Sequence, residues 1–136
     1  MERLFERQTE CRLIISPLSL VEMESVLAIK MRTKKLDQMG RVAARDRLRV
    51  DLRERRILVS SRFESVHFEY AKTCVAMYGP EDGIRTLDAL QLSMAHHLLN
   101  DGFLHFMIAA DKRMCRVARK VGIDVIDPQS PGTSAG

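Results

Sequence analysis

The chain has 136 residues, of which 46% are hydrophobic and 29% charged, with a formal net charge of +4. This length suits one domain with a real core. No apolar run reaches the length of a membrane span and the charged N-terminus MERLFERQTE differs from a signal peptide, so we expect a cytoplasmic protein without a membrane segment. The three cysteines, Cys11, Cys74 and Cys115, lack metal-ligand spacing, which predicts small buried thiols.

The N-terminal segment predicts a short helix over Met1–Glu10, a strand over Leu13–Ser16 and a helix over Leu18–Arg32. Glu22 and Glu24 lie near the start of that helix and, being two residues apart, point to different sides of it. Because Glu22 follows the carboxyl end of the strand, we expect it at the carboxyl edge of a parallel sheet.

A basic helix is predicted over Leu36–Arg56, and its sparse apolar side comprises Met39, Val42, Ala43, Leu48 and Leu52. From Lys30 to Arg56 there are eleven Lys and Arg residues against four Asp and Glu residues. Such an excess suits a polyanion, although a solvated helix face is the commoner explanation of a charge run. The residues spaced by four along this helix are Arg41, Arg45, Arg49 and Arg53, which predicts a ridge along one side of the helix that binds a polyanion without sequence preference.

The next elements are a strand over Ile57–Ser60 and a helix over Glu64–Tyr78. Gly79-Pro80 is predicted to end this helix, and residues 81–84 to form a loop. The residues expected on its buried face are Val66, Tyr70, Cys74 and Met77.

A further helix is predicted over Arg85–Leu99, with Thr86 as its cap and Asp88 in its first turn. The helical period places Leu87, Leu90, Met94 and Leu98 on one buried stripe. Asp88 leaves that stripe at an angle. It is therefore either a site residue or only a favourable charge at a helix start, and acids are common at such positions.

The run His105–Ala110 predicts a buried strand that ends at Asp111, and Asp111 is either a site residue or the cap of the next helix. That helix should bury Met114, Val117, Ala118 and Val121. A last short strand is predicted over Asp124–Ile126, with a single domain over residues 1–128 and a disordered tail over residues 129–136. The histidines are expected not to bind metal, because His96 and His97 diverge on their helix and His67 and His105 are isolated.

Alternating strands and helices predict an α/β fold with a mostly parallel sheet. Carboxylates from separate elements can then meet at one sheet edge, and Mg²⁺ prefers such hard oxygen ligands. The candidate ligands are Glu22, Asp88 and Asp111. We expect their carboxylate carbons to lie within roughly 10 Å of one another, the span that a hydrated ion can bridge.

Three segments resemble the acidic motifs of the PIN-domain ribonucleases: ISPLSLVEMESVL, RTLDALQLSMA, and FMIAADKRM with VGIDVIDP. Their order and spacing are similar to those of the VapC-like toxins of toxin–antitoxin pairs. The resemblance implies a three-layer α/β/α sandwich and RNA cleavage that depends on Mg²⁺ or Mn²⁺. It places Glu22, Asp88 and Asp111 at positions of the family's acids, and it also implies an antitoxin partner and a homodimer. Met23, Met31 and Met39 are candidates for a partner surface, although methionines at helical spacing more often belong to a core.

The sequence departs from this family in two ways. It lacks the first strand, which is central in the family's sheet and ends in an aspartate, and it has Ala109 where the family often has Thr or Ser. We expect the gap to be closed by direct pairing of Leu13–Ser16 with His105–Ala110, and the chain to be marginally stable and to aggregate or dimerise through its strand edges. Little or no cleavage is then predicted, whereas a form extended upstream through an aspartate-ending strand should cleave.

Two hypotheses follow. The chain is a metal-dependent endoribonuclease and the toxin of an antitoxin pair, or it is a non-catalytic PIN-like protein that binds RNA or another partner. Retention of the three acids favours the first, and the missing aspartate favours the second.

Overall fold

The structure, a computed structural model, describes residues 12–129. These residues form five helices and four short strands, and the chain divides between Arg62 and Phe63 into two compact units. The predicted helix over Met1–Glu10, the position of Cys11 and all but the first residue of the predicted tail lie outside the described residues. No helix within residues 12–129 is long and apolar enough to cross a membrane.

The first unit contains β1 (Leu13–Ile15), α1 (Pro17–Arg32), α2 (Gln38–Arg53) and β2 (Ile57–Val59). The two strands are parallel, with Leu13 opposite Ile57 and Ile15 opposite Val59. Ser16 begins α1 directly after β1, because its hydroxyl accepts from the N–H of Ser19 and Pro17 can occupy the first helical position. The turn from strand to helix is therefore encoded locally, as the sequence predicts.

Helix α2 is capped by Asp37, whose carboxylate accepts from the N–H of Gly40 at 2.8 Å. None of its residues is buried, and Met39 is 81% exposed. The predicted apolar side is thus wrong for Met39, Val42 and Ala43, all of which are exposed. Among the described residues of this unit, Leu27 is the one buried hydrophobic residue, so the unit has almost no core of its own.

The second unit contains α3 (Ser65–Asp82), α4 (Thr86–Asn100), β3 (Met107–Ile108), α5 (Lys112–Lys120) and β4 (Val125–Ile126). Strands β3 and β4 are parallel, with Met107 opposite Val125. Helix α3 packs along α4, and α5 lies against both α3 and β4. The most deeply buried core residues are Ala89, Leu92, Val117, Ala118, Ile123 and Val125, and Cys74 and Cys115 are buried as predicted.

Helix α3 continues through Gly79 and Pro80, where the sequence was expected to end it, and finishes at Asp82. The prediction is wrong because the left-handed cap is formed by Gly83, with φ of 70°, whose N–H donates to the carbonyl of Gly79 at 3.0 Å. The carboxylate of Asp82 accepts from Lys120 at 2.8 Å and from Arg116 at 3.4 Å. These bonds from α5 favour the extra turn despite the proline.

The residues that α3 and α4 bury are partly different from those predicted to form their buried faces. Val66 and Met77 are 52% and 62% exposed, while the buried residues of α3 include His67 and Ala71. On α4, Leu87 is 49% exposed. Met94 of the predicted stripe is buried as expected, and the other buried residues of α4 are Ala89, Leu92, Ser93 and Ala95. Small residues among these buried positions let α3 and α4 approach closely. The packing of the two helices thus decides which side of each helix is buried, which the spacing of apolar residues alone does not determine.

Strand pairing stays within each unit. Across the described residues, β1 pairs with β2 and β3 pairs with β4, and the expected direct pairing of Leu13–Ser16 with His105–Ala110 is wrong. The Ile108 N–H and carbonyl point away from β4, because its neighbours Met107 and Ala109 make the ladder bonds to β4. The parallel orientation that the sequence predicts is confirmed in both sheets.

The phase of α4 can be tested with two leucines on the same helix. Leu92→Ala removes a fully buried side chain and should lower the free energy of unfolding by about 2–5 kcal/mol. Leu87→Ala is the matched control on the exposed side and should cost less than about 1 kcal/mol. Urea unfolding followed by circular dichroism measures both values, and equal losses would contradict the observed packing.

Candidate functional site

Asp111 follows β3 and is the N-cap of α5. Its Oδ1 accepts from the N–H of Arg113 at 2.8 Å and of Met114 at 3.4 Å. Desolvation raises the pKa of Asp111, but the hydrogen bonds from Arg113 and Met114 outweigh it, so the pKa lies below the ordinary value. The capping role foreseen for Asp111 is therefore present, and the carboxylate is fixed in its charged form at the carboxyl end of β3.

Asp88 is the third residue of α4. Its Oδ2 accepts from the N–H of Arg85, the residue before the helix, at 3.1 Å. Arg85 is thus the N-cap residue, and Thr86, predicted to be the cap, is already helical. The carboxylate is half-buried and anchored to the backbone. As with Asp111, an oxygen anchored at a helix start orients the whole carboxylate.

Glu22 is the sixth residue of α1 and is half-buried in the first unit. Since Asp88 and Asp111 belong to the second unit, the convergence of the three acids stays a prediction. Glu24 points to another side of α1, as expected, and pairs with Arg45 of α2. Within either unit, the described His, Cys, Asp and Glu side chains form no group of three that could hold a metal ion.

The candidate ligands are carboxylates, whose hard oxygen atoms are the ligands that a divalent cation such as Mg²⁺ prefers. Mg²⁺ binds one or two carboxylates directly and keeps several waters, so a dedicated cage of three protein ligands is not required. Asp111 uses Oδ1 for both backbone N–H groups, which leaves Oδ2 without a backbone donor among the described residues. Within the second unit, Asp88 and Asp111 stay the candidate ligands.

A fourth acid was missed by the sequence reading. Asp127 comes after β4, and Asp111 comes after the neighbouring strand β3. A position after a predicted strand is the sequence feature that could have identified Asp127 as a candidate. It is 3% exposed and accepts from Nζ of Lys112 at 2.7 Å and from the N–H of Gln129 at 2.9 Å. The hydrogen bond from Lys112 is the main reason that the pKa of Asp127 is lowered. Asp127 therefore anchors the residue next to Asp111.

Part of the basic ridge of α2, which comprises Arg41, Arg45, Arg49 and Arg53, lies near Glu24 of α1. Arg45 donates through Nε to Glu24 at 2.9 Å, and Arg49 pairs with Asp46 at 3.2 Å. The hydrogen bond from Arg45 chiefly lowers the pKa of Glu24, and the charges of Arg41 and Arg49 lower it further. These three arginines thus share one side of the helix, as their spacing predicts, and two of them are engaged by acids.

Three histidines that are separate in the sequence meet between α3 and α4. The ring centroids of His67 and His97 are 4.6 Å apart, and His96 stacks on Tyr70 at 4.3 Å. The view of His67 as isolated is therefore wrong. Nδ1 of His67 accepts from the N–H of Glu64 at 2.9 Å, and Nδ1 of His97 lies 2.7 Å from the carbonyl of Ser93. These contacts make the rings packing elements of the helix pair.

Comparison with known proteins gives one match. The family model described as PIN domain matches residues 1–120. Searches of curated proteins and of solved structures return no match.

The histidine cluster predicts a stability that falls on acidification. Desolvation first, and then the charge of His97, lower the pKa of His67 and of His96 below 6.5. The unfolded chain therefore binds more protons than the folded chain once the pH falls below about 6.5, and stability present above that pH is lost. The urea midpoint should be lower at about pH 5.5 than at about pH 7.5.

His67→Asn should reduce this difference in urea midpoint, because one buried imidazole no longer titrates. Other titratable groups around the cluster are Glu64, Tyr70 and Cys74; burial raises the pKa of Tyr70 to about 12, outside this pH range. His105→Asn is the matched control at an exposed position. If both variants retain the full difference, the cluster does not cause it.

Proposed function

Because the chain belongs to the PIN-domain family, we propose that it is an endoribonuclease that depends on Mg²⁺ or Mn²⁺ and acts as the toxin of a toxin–antitoxin pair. PIN domains form a mixed α/β class with parallel strands, and the described residues have that architecture. The observation that supports the activity best is the pair of anchored carboxylates, Asp111 after β3 and Asp88 at the start of α4.

Each of these side chains would bring a charged oxygen to the divalent ion in a fixed orientation. Backbone N–H groups hold Asp111 and Asp88 at two helix starts, so little side-chain freedom remains to be lost when the ion binds. When bound, the ion lowers the pKa of a water and neutralises charge on the phosphate. Glu22 is assigned as the third ligand through the family resemblance.

The substrate would be RNA, held in part by the basic residues of α2. Breaking the pair of Arg45 with Glu24 costs little at an exposed site, so this arginine can transfer to a phosphate. Helix α2 buries no residue completely, and Arg49 and Arg53 of the ridge are exposed.

An antitoxin and a second copy of the chain are the proposed protein partners. Exposed apolar side chains on α1 and α2 support a partner surface, because Val21 is 65% and Met39 81% exposed. Of the three methionines considered, Met23 and Met31 are half-buried, so Met39 is the strongest candidate.

A non-catalytic role is the second candidate. Both acids of the second unit already serve a structural purpose as helix-start acceptors, and Asp111 also pairs with Arg113. A PIN-like protein that binds RNA or a partner without cleaving it would retain these residues for the same reason.

Substitution of the acids separates the two candidates. Asp111→Asn, Asp88→Asn and Glu22→Gln should each lower Mn²⁺-dependent cleavage of a labelled RNA by about 100-fold or more, because each removes a charged ligand. Cleavage by the unmodified chain, which the missing first strand predicts to be weak, should be abolished by EDTA. Asp101→Asn, an exposed position at the end of α4, is the matched control. Cleavage that survives EDTA, or that the three substitutions leave intact, would contradict the proposed site.

The basic ridge makes a separate prediction about binding. Replacing Arg41, Arg45, Arg49 and Arg53 by Gln should reduce the slope of log affinity against log salt by up to about 0.7 for each RNA phosphate that an arginine no longer neutralises. A control with the same change in net charge replaces Lys30, Arg32, Lys34 and Lys35, and its slope should change less. Filter binding of single-stranded RNA measures both slopes, and equal slopes would make the ridge a solvated face.

A further inference from the structure

The side chain of Arg113 lies beside the candidate metal ligand Asp111. A guanidinium nitrogen of Arg113 is 3.5 Å from Oδ2 of Asp111, while the backbone N–H of Arg113 donates to Oδ1 at 2.8 Å. The same residue therefore contacts both oxygens of the carboxylate. Its backbone fixes one oxygen, and its positive charge stands at the other.

The side chain of Arg113 passes near Gly83. A Cβ placed on Gly83 would lie 3.5 Å from Cδ and 3.6 Å from a terminal nitrogen of Arg113. Gly83 ends α3 in the left-handed conformation, and α4 with Asp88 begins at Thr86. Arg113 thus reaches from the start of α5 toward the segment that leads into the Asp88 helix.

We propose that Arg113 is an autoinhibitory counter-ion, which competes with the divalent cation for Oδ2 of Asp111. This inference rests on the proposed function. A hard cation needs the oxygen that the backbone does not use, and that is the oxygen beside the guanidinium. A divalent ion and the guanidinium cannot both stay at this oxygen without strong repulsion, so the arginine leaves as the ion enters.

The exposure of the pair makes this exchange feasible. The side chains of Arg113 and Asp111 are each 45% exposed, so the guanidinium can move into water at little cost. By contrast, the neighbouring Lys112 is held by the buried carboxylate of Asp127 at 2.7 Å. Of the two adjacent cations, Arg113 is therefore the one able to exchange with a metal ion.

Arg113→Gln should raise the affinity for Mn²⁺ alone by about two- to five-fold, the range that an exposed ion pair allows. Arg119→Gln is the matched control, because Arg119 is exposed on the same helix and its replacement changes the net charge equally. Electron paramagnetic resonance of free Mn²⁺ at fixed pH measures both affinities. Arg113→Lys keeps the charge and should bind Mn²⁺ within about two-fold of the unmodified chain.

A second measurement follows the guanidinium itself. Adding Mg²⁺ to the unmodified chain should shift the NMR signal of the Arg113 side-chain N–H and leave that of Arg119 in place. This measurement does not depend on cleavage or on folding of a variant.

The outcomes separate the two proposals. If Mn²⁺ binds but Arg113→Gln binds it no more tightly than Arg119→Gln, or if Mg²⁺ leaves the Arg113 signal unmoved, the counter-ion role is wrong and the nuclease proposal stands. If Arg113→Gln binds Mn²⁺ more tightly and no RNA is cleaved, the nuclease proposal fails alone. Absence of Mn²⁺ binding by every form overturns both.

Discussion

Backbone N–H groups at the starts of α4 and α5 hold the carboxylates of the two candidate acids, Asp88 and Asp111. The first amides of a helix have no partner within the helix, and in the second unit Asp88 and Asp111 supply acceptors for amides at these ends. At Asp111 desolvation is outweighed by the hydrogen bonds from these amides, which favour the anion and lower the pKa of the carboxyl, and at both residues the backbone holds the carboxylate in one orientation. Under the proposed function, these two acids would serve as metal ligands without a dedicated loop.

Packing in the second unit holds these helix starts in place. Helix α4 buries Ala89 and Leu92, and α5 buries Val117 and Ala118 in the same core. Two ion pairs from α5 fix its direction, since Lys120 binds Asp82 at the end of α3 and Lys112 binds Asp127 after β4. Removing such a pair would leave a nearly buried carboxylate without its partner, which is costlier than breaking an exposed pair.

Among the described residues, the first unit buries far fewer hydrophobic residues than the second. Its strands and helices follow from local signals such as Ser16, Pro17 and Asp37, yet it buries one described hydrophobic residue, Leu27. Basic residues on α2 and exposed apolar residues on α1 therefore face outward. A surface of this composition is suited to contacts with RNA or with a protein, and it adds little stability by itself.

Much of the local structure of this protein can be predicted from its sequence. The strands after residue 12, their parallel orientation, the anchoring of Asp88 and Asp111 at helix starts and the burial of Cys74 and Cys115 all follow from strand–helix alternation, periodicity and capping. Tertiary structure decided the rest. Contacts between α3 and α4 set which face each helix buries, which exposes Leu87 and brings His67 to His97, and bonds from α5 to Asp82 carry α3 past Pro80. Sequence spacing cannot supply these results, because each depends on which distant element packs against the residue.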